Sequence, residues 1–138
     1  MPTKLVDELV EINRAQSERF MDAGQSAARR RYRAAHPTEI VCLKCMDGRV
    51  NMPLLTSTPM GIMHPFRNIG GIFDLGWPAL SLRLTEIVDY AISKGRSNLF
   101  LVTYHFAKGD PHRGCRGHGY DKEKAFKSAL GLKEPGLL

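Results

Sequence analysis

Residues 39–50 read EIVCLKCMDGRV. From Glu39 to Cys45 the run is short and rich in apolar side chains, with Ile40, Val41, Cys42 and Leu43 in succession, as expected of a strand covered on both faces. Then Cys45, Asp47 and Arg49 follow at intervals of two. A thiol, a carboxylate and a guanidinium are costly to bury unpaired. A strand that delivers all three to its carboxyl end predicts a site that uses them.

Upstream of this stretch, residues 3–36 carry a helical pattern, with Leu5, Leu9 and Ile12 at helical spacing, Thr3 as an expected N-cap and Gly24 as an expected break. Pro37 closes the pattern. The apolar stripe is narrow, so residues 1–37 read as a helical arm that packs on the core or on a neighbouring chain. Downstream, GIMHPF at 61–66 reads as a second strand, with Pro65 placing it near a sheet edge. The helix expected from Trp77 to Lys94 puts Leu80, Leu84, Ile87, Val88 and Ala91 on one face, with Pro78 in its first turn and Gly95 as its cap. It leads into NLFLVTY, residues 98–104, a continuous apolar strand. Strand, crossover, strand, helix, strand predicts an α/β core over 38–138 built on a parallel sheet flanked by helices.

If the strands at 39–45 and 98–104 are neighbours, Cys45 and His105 emerge together at their carboxyl ends, where open α/β sheets place ligand sites. The following loop, HFAKGDPHRGCRGHGYD, adds Cys115, His112 and His118. Two thiols and an imidazole are zinc ligands, and three protein ligands leave a fourth position open, the mark of a catalytic site. Zinc brings the pKa of a bound water toward ~7; two thiolates weaken that effect and favour mildly alkaline conditions. Asp47 could orient such a water or close on the metal, and Arg49 could hold it back in a bidentate pair.

These residues resemble the β-class carbonic anhydrases. The zinc motif of that family, Cys-x-Asp-x-Arg, is matched by Cys45, Asp47 and Arg49, and its Arg-Asn-x-Gly segment by Arg67, Asn68, Ile69 and Gly70. A helix bearing SLRLTEIVDYAISKG then leads into a strand ending in His105, so the resemblance spans about residues 38–121. It implies a zinc enzyme converting carbon dioxide to bicarbonate, with Cys45, His105 and Cys115 on the metal, Asp47 and Arg49 in catalysis, and a homodimer or higher oligomer embraced by the arm. Relatives acting on carbonyl sulfide or carbon disulfide make those gases the alternative substrates. Nine residues separate His105 from Cys115 where the family commonly has two, and Gly48 stands where it usually has serine. The expected later strand and helices do not follow Cys115, which reads as a divergent or truncated member.

Plainer readings stand beside these. Cys42 and Cys45 form a CxxC, but residues three apart on a strand face opposite sides, so Cys42 reads as a core thiol. Either His112 or His118 could replace Cys115 on the metal, or shuttle protons. Arg67 and Asn68 could simply shape a turn, His36 and His64 lack a chemical context, and GCRGHG lacks the glycine order of a dinucleotide loop.

Composition bounds the rest. The chain has 138 residues, 43% hydrophobic and 25% charged, the range of one ordinary globular domain. Three cysteines are too few for a disulfide framework. With no membrane-length apolar run and no signal-peptide block at the start, a cytoplasmic location is expected. Of the net charge of +6, four charges belong to Arg29, Arg30, Arg31 and Arg33. That local cluster suits a solvated helix face or a protein contact at least as well as nucleic acid, leaving a non-catalytic zinc domain with a basic binding arm as the rival from another class.

Overall fold

The structure, a computed structural model, describes residues 2–73 and 76–129. Two helices, α1 (Pro2–Met21) and α2 (Ala23–Ala35), precede the first strand. Asp22 separates them, accepting a hydrogen bond from the Gln25 N–H at 2.7 Å as the N-cap of α2. The break expected at Gly24 thus falls two residues earlier, at Asp22, whose side chain suits a helix start better, and Thr3 lies inside α1 rather than capping it.

Strand β1 (Thr38–Cys45) is the centre of the sheet, with β2 (Met63–Asn68) and β3 (Ser97–Val102) parallel to it on either side. Cys45 pairs in register with Asn68, and Leu43 with Val102. Pro65 is accommodated because β2 is an edge strand, as its sequence predicts. A single turn, α3 (Met52–Leu55), lies between β1 and β2, and α4 (Pro78–Ser93) crosses from β2 to β3. The left-handed Gly95, φ +63°, ends that crossover. Two 3-10 turns (Pro111–Arg113 and Arg116–His118) and α5 (Lys122–Ala129) complete the described chain; the end of the tail, 130–138, lies outside it.

The apolar face of α4 supplies Leu80, Leu84 and Ile87 to a core with Val41 of β1, against which Phe66 packs. Each such side chain contributes ~1.5–3 kcal/mol by leaving water. Although Leu99 to Val102 of β3 form a continuous apolar run, Leu99 and Phe100 remain 44% and 45% exposed. This follows from its place at the sheet edge, where β1 is its partner on one side. Along α1, Leu5, Val6, Leu9, Val10 and Ile12 are all exposed, so its apolar stripe is not spent on the core of its own chain. Among the described residues no helix is long and apolar enough to cross a membrane.

Candidate metal centre

Cys45 is the last residue of β1. The ladder between β1 and β3 continues one bond past β3, with the Thr103 N–H donating to Leu43 O at 3.0 Å, and the extended chain then delivers His105 to the same sheet end. Cys115 enters from the loop beyond, buried at the start of the second 3-10 turn. One donor atom from each of Cys45, His105 and Cys115 lies within 4.8 Å of the other two, a group that could hold a metal ion. The nine-residue spacing between His105 and Cys115 thus leaves the sulfur in the cluster. His112 and His118 are outside it.

The Cys115 thiol donates to Cys45 Sγ at 3.7 Å. Burial by itself raises the Cys45 thiol, but the Asp47 backbone N–H, His105, the Gly70 backbone N–H and Cys115 together bring it down to about 7. Burial and the neighbouring Cys45 push Cys115 up. The pair is therefore disposed as a thiolate accepting from a thiol. His105 Nε2 is buried and has no hydrogen-bond partner among the described residues. Cys42, on the opposite face of β1, is 1% exposed and pushed up by burial, in keeping with a core thiol.

Asp47 and Arg49 form a bidentate pair, Nε to Oδ1 at 3.0 Å and an NH2 nitrogen to Oδ2 at 2.6 Å. The Arg49 backbone N–H also donates to Oδ1 at 2.9 Å. These bonds hold the Asp47 carboxyl well below the usual carboxylate range. Oδ2 lies 3.9 Å from His105 Nε2. Arg49 also donates to Arg113 O at 3.1 Å, fastening the loop that carries Cys115. A side chain at Gly48 would meet nothing within 4 Å.

Arg67 and Asn68 take the turn-shaping role. Arg67 donates to the carbonyls of Cys45, Asp47 and Val50 at 3.2, 2.8 and 2.9 Å, which fixes the path of the turn that carries Asp47. The Asn68 side chain donates to Ile72 O and accepts from its N–H at 2.8 and 2.7 Å, closing the glycine turn. His112 has a largely exposed side chain resting near Tyr120. His118 is 3% exposed, and its Nε2 donates to Gly70 O at 2.7 Å. A buried imidazole bonded to a carbonyl is poorly placed to pass protons to solvent. Gly117 packs against Gly70 so closely that an added Cβ would sit 2.7 Å from its Cα and N. GCRGHG is therefore a packing turn, with no open cradle of N–H groups at Gly117.

At the other end of the sheet, His64 has a context that its sequence neighbours do not supply. Its Nε2 donates to Glu39 at 2.9 Å, and Arg96 pairs with the other oxygen at 2.5 Å. Burial works to raise the Glu39 carboxyl, but its bonds to His64 and Arg96 outweigh this and lower it. A cavity of about 570 Å³ opens beside this cluster, lined also by Arg33, Arg83 and Tyr90.

No protein-family model matches this sequence. No curated protein matches it either. Among solved structures the chain is similar to the beta-carbonic anhydrase CcaA, with 21% identity, a TM-score of 0.46, and coverage of 91% of this chain and 61% of that one. The chain thus spans less than two thirds of that protein.

Proposed function

We propose that this chain is a zinc-dependent lyase of the carbonic anhydrase type, interconverting carbon dioxide and bicarbonate. The observation that carries the proposal is the buried, unpartnered Nε2 of His105 within reach of two thiols, beside a carboxylate held by Arg49. Leaving such a nitrogen unsatisfied is costly, and a metal ion would satisfy it. Cys45, His105 and Cys115 suit zinc in donor type and number, and a four-coordinate zinc held by them would keep one position for solvent or substrate. Zinc held there supplies Lewis acidity, bringing the pKa of a bound water down toward ~7.

The chain's own residues would do the orienting. Asp47 remains ionised across the working pH range, so it serves as an acceptor, turning an attacking water toward the carbon of the substrate. Arg49 keeps both carboxylate oxygens occupied, and Arg67 holds the carbonyls of the turn that carries Asp47. The domain division, with an arm over 1–37 and a core over 38–138, is part of the same proposal. In it, α1 lays its exposed Leu5, Leu9 and Ile12 on a second copy to give a homodimer or larger oligomer. A nucleic-acid role for the arm is disfavoured because Arg29 is spent on Phe20 O and the Phe20 ring, and Arg33 on Gly61 O.

Stopped-flow hydration of carbon dioxide at pH ~7 and ~8.5, bracketing a titrating water, on protein of measured zinc content, tests the reading. Zinc-dependent hydration that rises with pH is the expected result. One zinc per chain with no turnover of carbon dioxide, carbonyl sulfide or carbon disulfide would refute the lyase and leave a metal-binding domain.

A further inference from the structure

The Gly70–Gly71 turn meets the metal cluster through a single donor, the Gly70 N–H, which points to Cys45 Sγ at 3.4 Å. Both glycines have left-handed backbones, φ +89° and +61°, which only glycine adopts without strain. A Cβ on Gly71 would lie 3.1 Å from Cys45 N, so the turn rests directly on the end of β1. A turn made of two glycines has little intrinsic stiffness. It must be held from outside if its N–H is to keep one direction.

Two side chains hold it. Asn68 closes the turn through both backbone groups of Ile72. His118 holds the other flank, its Nε2 at 2.7 Å from Gly70 O. Because that partner is a carbonyl, Nε2 carries the proton, and the tautomer is fixed. The bond fixes the peptide plane after Gly70, while the N–H on Cys45 belongs to the plane before it, and the two share the Gly70 Cα. The close approach of Gly117 brings His118 to this position.

We propose that His118 is a positioning residue for the metal centre: by donating to Gly70 O it fixes the glycine turn whose N–H bonds Cys45 Sγ, and so sets that sulfur's strength as a ligand. The inference deepens the reading of Cys45, His105 and Cys115 as metal ligands and rests on it. Groups that hydrogen-bond a metal ligand commonly tune affinity by ~10–100-fold; the Gly70 N–H is such a group, and His118 acts through it, one bond further out.

The test compares His118→Gln with His118→Met in the whole chain, two side chains of similar length of which only the first can donate. Zinc affinity is measured by competition with a chromophoric chelator. In protein loaded with cadmium-113, the Gly70 amide proton is examined for coupling to the metal through sulfur. The methionine variant is expected to lose about 10-fold in zinc affinity, the lower end of that range because His118 acts through the turn, together with the coupling, and the glutamine variant to recover most of both. Equal affinity and equal coupling in the two variants would overturn the role of His118 while leaving the metal centre intact. If wild-type protein bound no metal through Cys45, His105 and Cys115, the proposed function and this inference would fall together. Should the methionine chain fail to fold, wild-type and glutamine proteins decide the matter, since absence of the Gly70 coupling from wild type refutes the proposal.

Discussion

Arg49→Ala separates local geometry from global stability. The change removes two side-chain bonds to Asp47, at 3.0 and 2.6 Å, and the bond to Arg113 O at 3.1 Å. The Arg49 side chain is 61% exposed, and exposed pairs contribute little to stability, so the melting temperature should hardly move. The local effect is larger. Asp47 keeps one anchor, the residue 49 N–H on Oδ1, whereas Oδ2 loses its 2.6 Å partner while lying 3.9 Å from His105 Nε2. Rotation about the side-chain bonds of Asp47 can then carry Oδ2 toward the donor cluster. A displacement of ~1 Å in a positioning group can cost ~10²-fold in rate, and a loss of that order is expected for hydration, with zinc stoichiometry unchanged. Stopped-flow hydration, metal analysis and a thermal melt on the same preparation test this. Full hydration activity in the alanine variant would refute the restraining role of Arg49, and a large fall in melting temperature would show that the pair serves the fold instead.

Three further expectations follow from the same geometry. Asp47→Asn should keep one zinc per chain and lose hydration rate by a comparable factor, because the amide offers a donor where the carboxylate oxygen accepts; unchanged activity would exclude Asp47 from the reaction. In metal-free protein, iodoacetamide should modify Cys45 first, with a half-maximal rate near the lowered value of about 7, then Cys115 at higher pH. Cys42 should react after unfolding, and zinc should protect the first two, as peptide mass spectrometry would show. Glu39→Gln should destabilise by ~1.5–3 kcal/mol near neutral pH, the range for hydrogen bonds to a charged group, or several degrees in a thermal melt. Since the folded carboxyl is lowered, its stabilisation is present above the unfolded value and is lost as pH falls through the folded one. The difference from wild type should therefore shrink in acid, and a pH-independent gap would contradict this account.

The central strand and the crossover were legible in the sequence because each carries its own local signal. An unbroken apolar run marks β1, and a helical stripe bounded by Pro78 and Gly95 marks α4. Cys45, Asp47 and Arg49 could be read for the same reason, being adjacent on one strand end. His105 came with the end of β3, although the strand itself stops at Val102. What the sequence could not give is partnership at a distance. Glu39 meets His64 and Arg96 from positions 25 and 57 residues away, and strand register alone unites them. His118 reads as a ligand or shuttle because it shares a loop with Cys115; its true neighbour, Gly70, is 48 residues away. The edge position of β3 is hidden in the same way, since an apolar run does not count its neighbours.

Cys45 and Cys115 are 70 positions apart, and that spacing bears on the order in which the chain assembles. A metal bridging them would act as a staple across most of the core, closing a loop whose entropic cost sheet pairing has largely met already. Metal uptake would then come late, after β1 and β3 have aligned, and its binding energy would be spent on locking the segment between His105 and Cys115. Metal-free protein should retain its sheet while that segment becomes the first place a protease cuts.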